Sequence, residues 1–265
     1  MDADEPKQKS LSRFLRRNTV SAVETLPYVH TTRSYNIASI KDTQSIDAKR
    51  CRHFNEDLIY LFVGRPAYKR PSAGSAAEYW ELPCCFIFDE VADFLVKRVY
   101  PFDSGAFRDG RYPEYIDFMD FREFEVDDAG APGRMVSAFF GDSARYFRGT
   151  PKGKEDFENE FQLGVLEAEI KALRRLAEDG TPAGFDDRRF TIEVQVADKI
   201  DFRTNPPAAV VLPSIYLRDE AVRAKIIDEW GAEPLTYEMY GLSQDKYDGI
   251  IYAKVEEYYR SRGLV

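Results

Sequence analysis

The chain has 265 residues, 44% hydrophobic and 14% aromatic content, a formal charge of -9 and a pI near 5.0. That is enough apolar material for one large domain or two small ones. The acidic balance argues against a general polyanion binder, while a local basic groove stays open, with KQKSLSRFLRR near the start and Lys49, Arg50, Arg52, Arg65, Lys69 and Arg70 as its candidates.

Three cysteines stand at 51, 84 and 85, and no CxxC spacing exists, so no metal site is expected. With no signal-peptide h-region and no apolar run of membrane length, the expectation is a soluble, cytoplasmic protein of a reducing compartment, without a membrane partner.

In chain order, residues 1–24 read as a flexible N-terminal lead-in, and 25–265 as a single domain. TLPYVHT predicts a short strand and SYNIASIKD a short helix, with Ile37 and Ile40 on one side and Ser34 as N-cap. DLIYLFVG and PCCFIFDE are near-continuous apolar runs, the pattern of strands covered on both faces. VADFLVKRVY predicts a helix, and PFDSGAFRDGRYPEY a loop rich in Pro, Gly and Asp.

The segment EDFENEFQLGVLEAEIKALRRLAEDG predicts the clearest helix. Leu166, Ile170, Leu173 and Ala177 recur at helical spacing, Phe157, Phe161 and Val165 add a second stripe, and Gly180 marks the stop. RRFTIEVQV predicts the clearest strand, with Phe190, Ile192, Val194 and Val196 alternating with a polar face of Thr191, Glu193 and Gln195. AAVVLPSIYL predicts a strand, DEAVRAKIIDEWG a helix, PLTYEMY a strand and SQDKYDGIIYAKVEEYYRSRG a terminal helix. Strands alternate with helices without regular βαβ spacing, so the fold class is α+β.

Taken singly, the polar residues of these segments are ordinary. His30 at a strand end reads as a hydrogen-bonded structural residue, Thr31 and Thr32 as cap residues, Arg65 as a strand-end cation with its head in solvent, and Glu193 as decoration of a half-exposed face. Tyr35, Tyr60 and Tyr68 serve as packing or as stacking surfaces, and DSGAFRDGRY as a plain connection or a mobile substrate-presenting loop. Cys51 and His53 lack a catalytic spacing. No G-x-G-x-x-G, GxxxxGK[ST] or G-x-S-x-G is present, which disfavours a Rossmann dehydrogenase, a P-loop enzyme and an α/β-hydrolase.

Taken together, their order resembles a known family. In HTTRSYNIASI, Thr32, Asn36, Ile37 and Ile40 follow His30 at two, six, seven and ten positions. That spacing resembles the opening motif, H-x-T-x-x-x-N-L-x-x-I, of the DarT-type ADP-ribosyltransferase toxins. EDLIYLFVGRPAYK resembles their second signature, a strand ending in an Arg with Pro nearby, and FTIEVQV resembles the strand that begins with the catalytic glutamate. GRPAYK stands where an RSPM-like run is common, Thr191-Ile192 where Gln-Ala is usual, and residues 100–185 match nothing in the pattern.

The resemblance implies an ADP-ribosyltransferase-like split central β-sheet with flanking helices. It implies a glycosyltransferase that moves ADP-ribose from the co-substrate NAD⁺ to a macromolecular acceptor, a DNA or RNA base in single-stranded or exposed form, releasing nicotinamide without a metal. Toxin or phage-defence activity and an antitoxin partner belong to the same expectation. Glu193 and Arg65 would be catalytic, and His30, Thr31, Thr32, Asn36 and Arg65 would bind NAD⁺. Alternatives on the same scaffold are an NAD⁺ glycohydrolase and a binding module without activity.

Overall fold

The structure, a computed structural model, describes residues 9–67, 75–90, 96–180 and 189–265. The first elements are α1 (Ser10–Arg17), β1 (Tyr28–Arg33), α2 (Ile37–Thr43), β2 (Ser45–Ile46), β3 (Lys49–Cys51), β4 (Glu56–Val63), β5 (Pro83–Phe88) and β6 (Val96–Tyr100). Then come α3 (Ser104–Arg108), α4 (Glu114–Asp117), α5 (Ala131–Phe139), α6 (Ser143–Phe147), α7 (Lys154–Glu160) and α8 (Ala168–Glu178). The chain finishes with β7 (Glu193–Val196), β8 (Ile200–Asp201), β9 (Ala209–Pro213), α9 (Glu220–Ala224), β10 (Glu233–Tyr237) and α10 (Tyr247–Ser261). The class is mixed α+β, with a mixed multi-strand sheet and helices beside it. Among the described residues no helix is long and apolar enough to cross a membrane.

Two compact units divide the chain. One comprises Met1–Thr25 and Val96–Val194 and is mainly helical; the other comprises Leu26–Leu95 and Gln195–Val265 and carries most of the strands. In the strand-rich unit the order is β10-β9-β5-β1-β4, with β3 beside β4 and β2 paired to β8. Neighbours run antiparallel except β9 and β10, which are parallel. β5 is buried at all six positions, as its unbroken apolar run predicts. Phe86 on β5 packs against Phe202 and Trp230, with ring centroids 5.7 and 6.4 Å away.

β4 turns off at Gly64, whose φ of +66° is one that L side chains rarely adopt. Its N–H donates to the Pro27 carbonyl at 2.8 Å, and a Cβ there would lie 2.6 and 2.8 Å from the Leu26 Cδ1 and Cβ atoms. The glycine is required twice over, by backbone conformation and by close approach.

In the helical unit, aromatic rings form the core. Phe14, Phe139, Phe157 and Phe161 meet in one cluster, with Phe14 and Phe161 centroids 4.9 Å apart. Tyr100, Phe102, Phe107, Phe121 and Phe124 form another. α1 lies within the span read as a lead-in, and that reading does not anticipate it. Leu11, Phe14 and Leu15 are buried because they share one side of the helix, while Arg13, Arg16 and Arg17 take the other.

Several predicted elements are corrected. Residues 96–100 of the expected helix VADFLVKRVY form strand β6, whose Val99 bridges to Val126; residues 91–95 lie outside the described residues. The expected loop 101–115 holds α3, because the Asp103 carboxylate accepts from the Ala106 N–H at 2.6 Å and so caps a helix start, and also the beginning of α4. The expected long helix is two, α7 and α8. It breaks where Gln162 adopts φ +49° and Gly164 donates to Glu167 at 2.8 Å, which leaves Val165 and Leu166 89% and 85% exposed instead of in the core stripe. Ser34 opens a short 3₁₀ turn (Ser34–Asn36) before α2 and makes no side-chain cap hydrogen bond, whereas Ile37 and Ile40 are buried as expected.

Replacing Gly64 by alanine is expected to lower unfolding free energy by about 1–3 kcal/mol, measured by urea denaturation. An unchanged denaturation midpoint would contradict the packing described at Leu26.

Candidate functional site

Strand β1 sets the directions of the candidate side chains. Its register with β5 pairs His30 with Phe86, Thr31 with Cys85 and Thr32 with Cys84. Successive side chains on a strand alternate faces, so His30 and Thr32 share one face and Thr31 projects from the other. Thr31 is thereby separated from the group of residues expected to bind one ligand. Its hydroxyl is buried without a hydrogen bond of normal geometry, yet lies close enough to the Cys85 thiol to oppose slightly the rise in that thiol's pKa. Burial pushes Cys85 up to about 12 and Cys84 higher still, so neither is a thiolate nucleophile near neutral pH.

His30 Nδ1 lies 3.0 Å from the Tyr60 carbonyl. A carbonyl only accepts, so Nδ1 carries the proton and donates, which makes Nε2 the acceptor of the neutral ring. Burial holds the His30 pKa below its ordinary value, with Lys49 adding to the effect and the Tyr60 hydrogen bond opposing it. The Tyr60 hydroxyl itself donates to Cys51 Sγ at 2.7 Å.

Two positions along the strand, Thr32 Oγ1 accepts from Asn36 Nδ2 at 2.7 Å. This bond spans four residues across the turn from β1 into the 3₁₀ turn and α2. Backbone bonds from Ser34 N to the Leu82 carbonyl (2.8 Å) and from Tyr35 N to the Trp80 carbonyl (2.9 Å) fix the same turn, leaving the Tyr35 side chain 72% exposed.

Arg65 follows the end of β4. Tyr28 pairs with Val63 in an antiparallel register, so Arg65 stands at the beginning of β1 while Thr32 and Asn36 stand at its end. At about 3.3 Å per residue, Tyr28 and Thr32 are about 13 Å apart along the strand. Arg65 is half-buried and hydrogen-bonds with Tyr252 of α10, whose pKa is raised mainly by burial and held back by the nearby guanidinium. Thus Thr32 and Asn36 are joined, His30 is oriented on their face, and Arg65 is set apart at the opposite strand end. Tyr68, Lys69 and Arg70 lie outside the described residues.

Glu193, the first residue of β7, belongs to the helical unit, and the expectation of a half-exposed polar face is corrected at this strand. Glu193 is 1% exposed, and Thr191 and Gln195 are buried too, because β7 is covered on both sides. The alternation in the sequence is real, but it distinguishes two buried environments instead of core from solvent. Of the predicted strand, β7 itself holds only residues 193–196, and Arg188 lies outside the described residues.

Ser104 reaches both oxygens of the Glu193 carboxylate. Ser104 N donates to Oε2 at 3.0 Å, and Ser104 Oγ donates to Oε1 at 2.6 Å. The surrounding chain is tied down by phenols. Tyr112 donates to the Arg189 carbonyl at 3.3 Å and accepts from Asp103 N at 3.2 Å, and Tyr146 accepts from Ile192 N at 3.0 Å. DSGAFRDGRY is therefore a hydrogen-bonded brace for the approach to β7. Sequence reasoning missed Ser104, although an Asp before a small-residue helix start is a readable N-cap signal. Nothing in the sequence pairs Ser104 with a carboxylate 89 positions away.

Among the described residues, no group of three His, Cys, Asp or Glu side chains is arranged to hold a metal ion. No protein-family model matches this chain, and no curated protein matches it in sequence.

The His30 environment has a pH consequence. The unfolded chain takes up a proton near the ordinary histidine value of about 6.5 while the native ring resists it. Stability is therefore full above that pH and falls as pH drops toward the lowered native value, by at most about 1.4 kcal/mol per pH unit from this group. Urea denaturation between pH 7.5 and 5 is expected to show a shallower decline for His30→Gln than for the wild type; parallel curves would contradict a neutral, desolvated ring.

Proposed function

We propose that this chain is an NAD⁺-dependent ADP-ribosyltransferase on an ADP-ribosyltransferase-like split sheet, with an exposed nucleic-acid base as acceptor. The observation that carries the reading is the Thr32–Asn36 hydrogen bond beside an oriented His30, because it gives the H-x-T-x-x-x-N spacing a physical purpose. The strand end and the following turn are locked to each other, and His30 Nε2 and the Thr32 hydroxyl are left on one strand face as hydrogen-bonding groups for a sugar or an amide.

In the proposed reaction, the bond between the ribose C1′ and the nicotinamide nitrogen breaks with its electron pair leaving on nicotinamide, which departs neutral. The acceptor forms a new bond to C1′ and loses a proton. The transition state has oxocarbenium character, so a fixed carboxylate near the sugar stabilises it and accepts a hydrogen bond from the 2′-OH. Glu193 fits that role in chemistry, and its carboxylate also serves as a base for the acceptor proton. Because Glu193 is covered, substrate reaches it only by displacing the atoms over it. Arg65 would engage the dinucleotide phosphates through its planar fork, exchanging its Tyr252 contact for charged oxygens. A base as acceptor favours single-stranded or unpaired nucleic acid, and an antitoxin protein and a role in toxicity or phage defence belong to the same proposal.

Incubation with NAD⁺ labelled in the adenylate phosphate, together with single-stranded DNA, RNA and protein, tests the reading. Label on a nucleic acid is expected. Label on protein would revise the acceptor, free ADP-ribose alone would make the chain a glycohydrolase, and intact NAD⁺ would overturn the activity. Arg65→Ala is expected to weaken NAD⁺ binding by about tenfold or more, since hydrogen bonds to charged groups contribute about 1.5–3 kcal/mol; calorimetry giving an unchanged Kd would remove Arg65 from the site.

A further inference from the structure

We infer that Ser104 is the positioning residue for Glu193 in the proposed transfer, an inference that rests on that reading of the function. A glutamate has three side-chain torsions, and a carboxylate meant to meet a sugar must present one orientation. Here one residue reaches both of its oxygens, with a main-chain donor to Oε2 and a hydroxyl to Oε1. Two bonds from a single residue fix the carboxylate plane as well as its place, which one donor alone leaves free to rotate.

Ser104 sits in the interior of its unit. It is fully buried at the start of α3, directly after Asp103, whose carboxylate caps that helix. Tyr112, at the far side of the same turn, bonds to both Asp103 N and the Arg189 carbonyl. The brace therefore grips the chain on both sides of the glutamate's approach: at Arg189 through Tyr112, and at Glu193 through Ser104. A serine is the residue that does this with least bulk, because its hydroxyl and its own N–H lie close enough to serve the two oxygens of one carboxylate.

Ser104 does not itself need to touch substrate. Its removal should slow the chemical step without weakening NAD⁺ binding, since misplacement of a reacting group by about 1 Å can cost about 100-fold. The experiment is steady-state nicotinamide release from NAD⁺ by the full chain, comparing wild type, Ser104→Ala, Ser104→Cys, Glu193→Asp and the Ser104→Ala/Glu193→Asp double variant. Expected is a fall in kcat of about 10- to 100-fold for Ser104→Ala with KM for NAD⁺ nearly unchanged. Ser104→Cys, which keeps a weak donor of similar size, should retain more activity. The double variant should be no slower than Glu193→Asp alone, because the serine acts only through a carboxylate already displaced.

Wild-type kcat in Ser104→Ala, or independent multiplication of the two losses in the double variant, would overturn the inference while leaving the enzyme reading in place. If Ser104→Ala fails to fold, a Ser104→Gly variant, which also lacks the hydroxyl, with undiminished kcat overturns it equally. A wild-type chain that releases no nicotinamide would overturn both.

Discussion

A carboxylate with almost no exposure to solvent must be met by donors, and the bond pair from Ser104 to Glu193 is the constraint on which the helical unit's candidate chemistry depends. Hydrogen bonds to charged groups are worth more than neutral ones, and a buried donor left without its acceptor costs about 1–3 kcal/mol. Truncating Glu193 to alanine therefore disturbs more than chemistry: it strands the Ser104 donors and opens space in a packed interior. Glutamine or aspartate substitutions separate catalysis from stability better, because they keep a polar group in place.

In the strand-rich unit the corresponding constraint is the antiparallel register of β1 between β4 and β5. It decides that His30 and Thr32 share one strand face, that Thr31 turns toward the Cys85 side, and that Arg65 belongs to the opposite end of the strand. Gly64 makes the last of these possible by allowing β4 to turn away close against Leu26 and Pro27. The polar residues of the opening motif thus have local duties, orienting a ring and locking a turn, which is the organisation a binding site needs before any ligand arrives.

The sequence was most legible where one physical cause dominated. Uninterrupted apolar runs identified β4 and β5, the Ile37 and Ile40 spacing identified the buried side of α2, and Val210 to Leu212 identified β9. It was least legible where a local feature competed with the pattern. Gly164 broke an otherwise continuous helical periodicity, Asp103 nucleated a helix inside a turn-rich stretch, and Val96, Val99 and Tyr100 made a strand of what resembled a helix. Glu193 shows a different limit. Alternation reveals that two faces differ, but not that the polar one is also covered. Of the candidate site, the Thr32–Asn36 relation was foreshadowed by spacing, whereas the Ser104–Glu193 relation was not, because long-range pairing leaves no local trace.

The proposed assistance of Glu193 in breaking the bond between ribose and nicotinamide is open to chromatographic measurement of nicotinamide released from NAD⁺ by the wild type and by Glu193→Gln. Steady release by the wild type is expected, with a fall of at least about 100-fold in the variant, the scale of losing one preorganised electrostatic contact, and circular dichroism unchanged. Equal release by a folded Glu193→Gln chain, or none from the wild type, would contradict it.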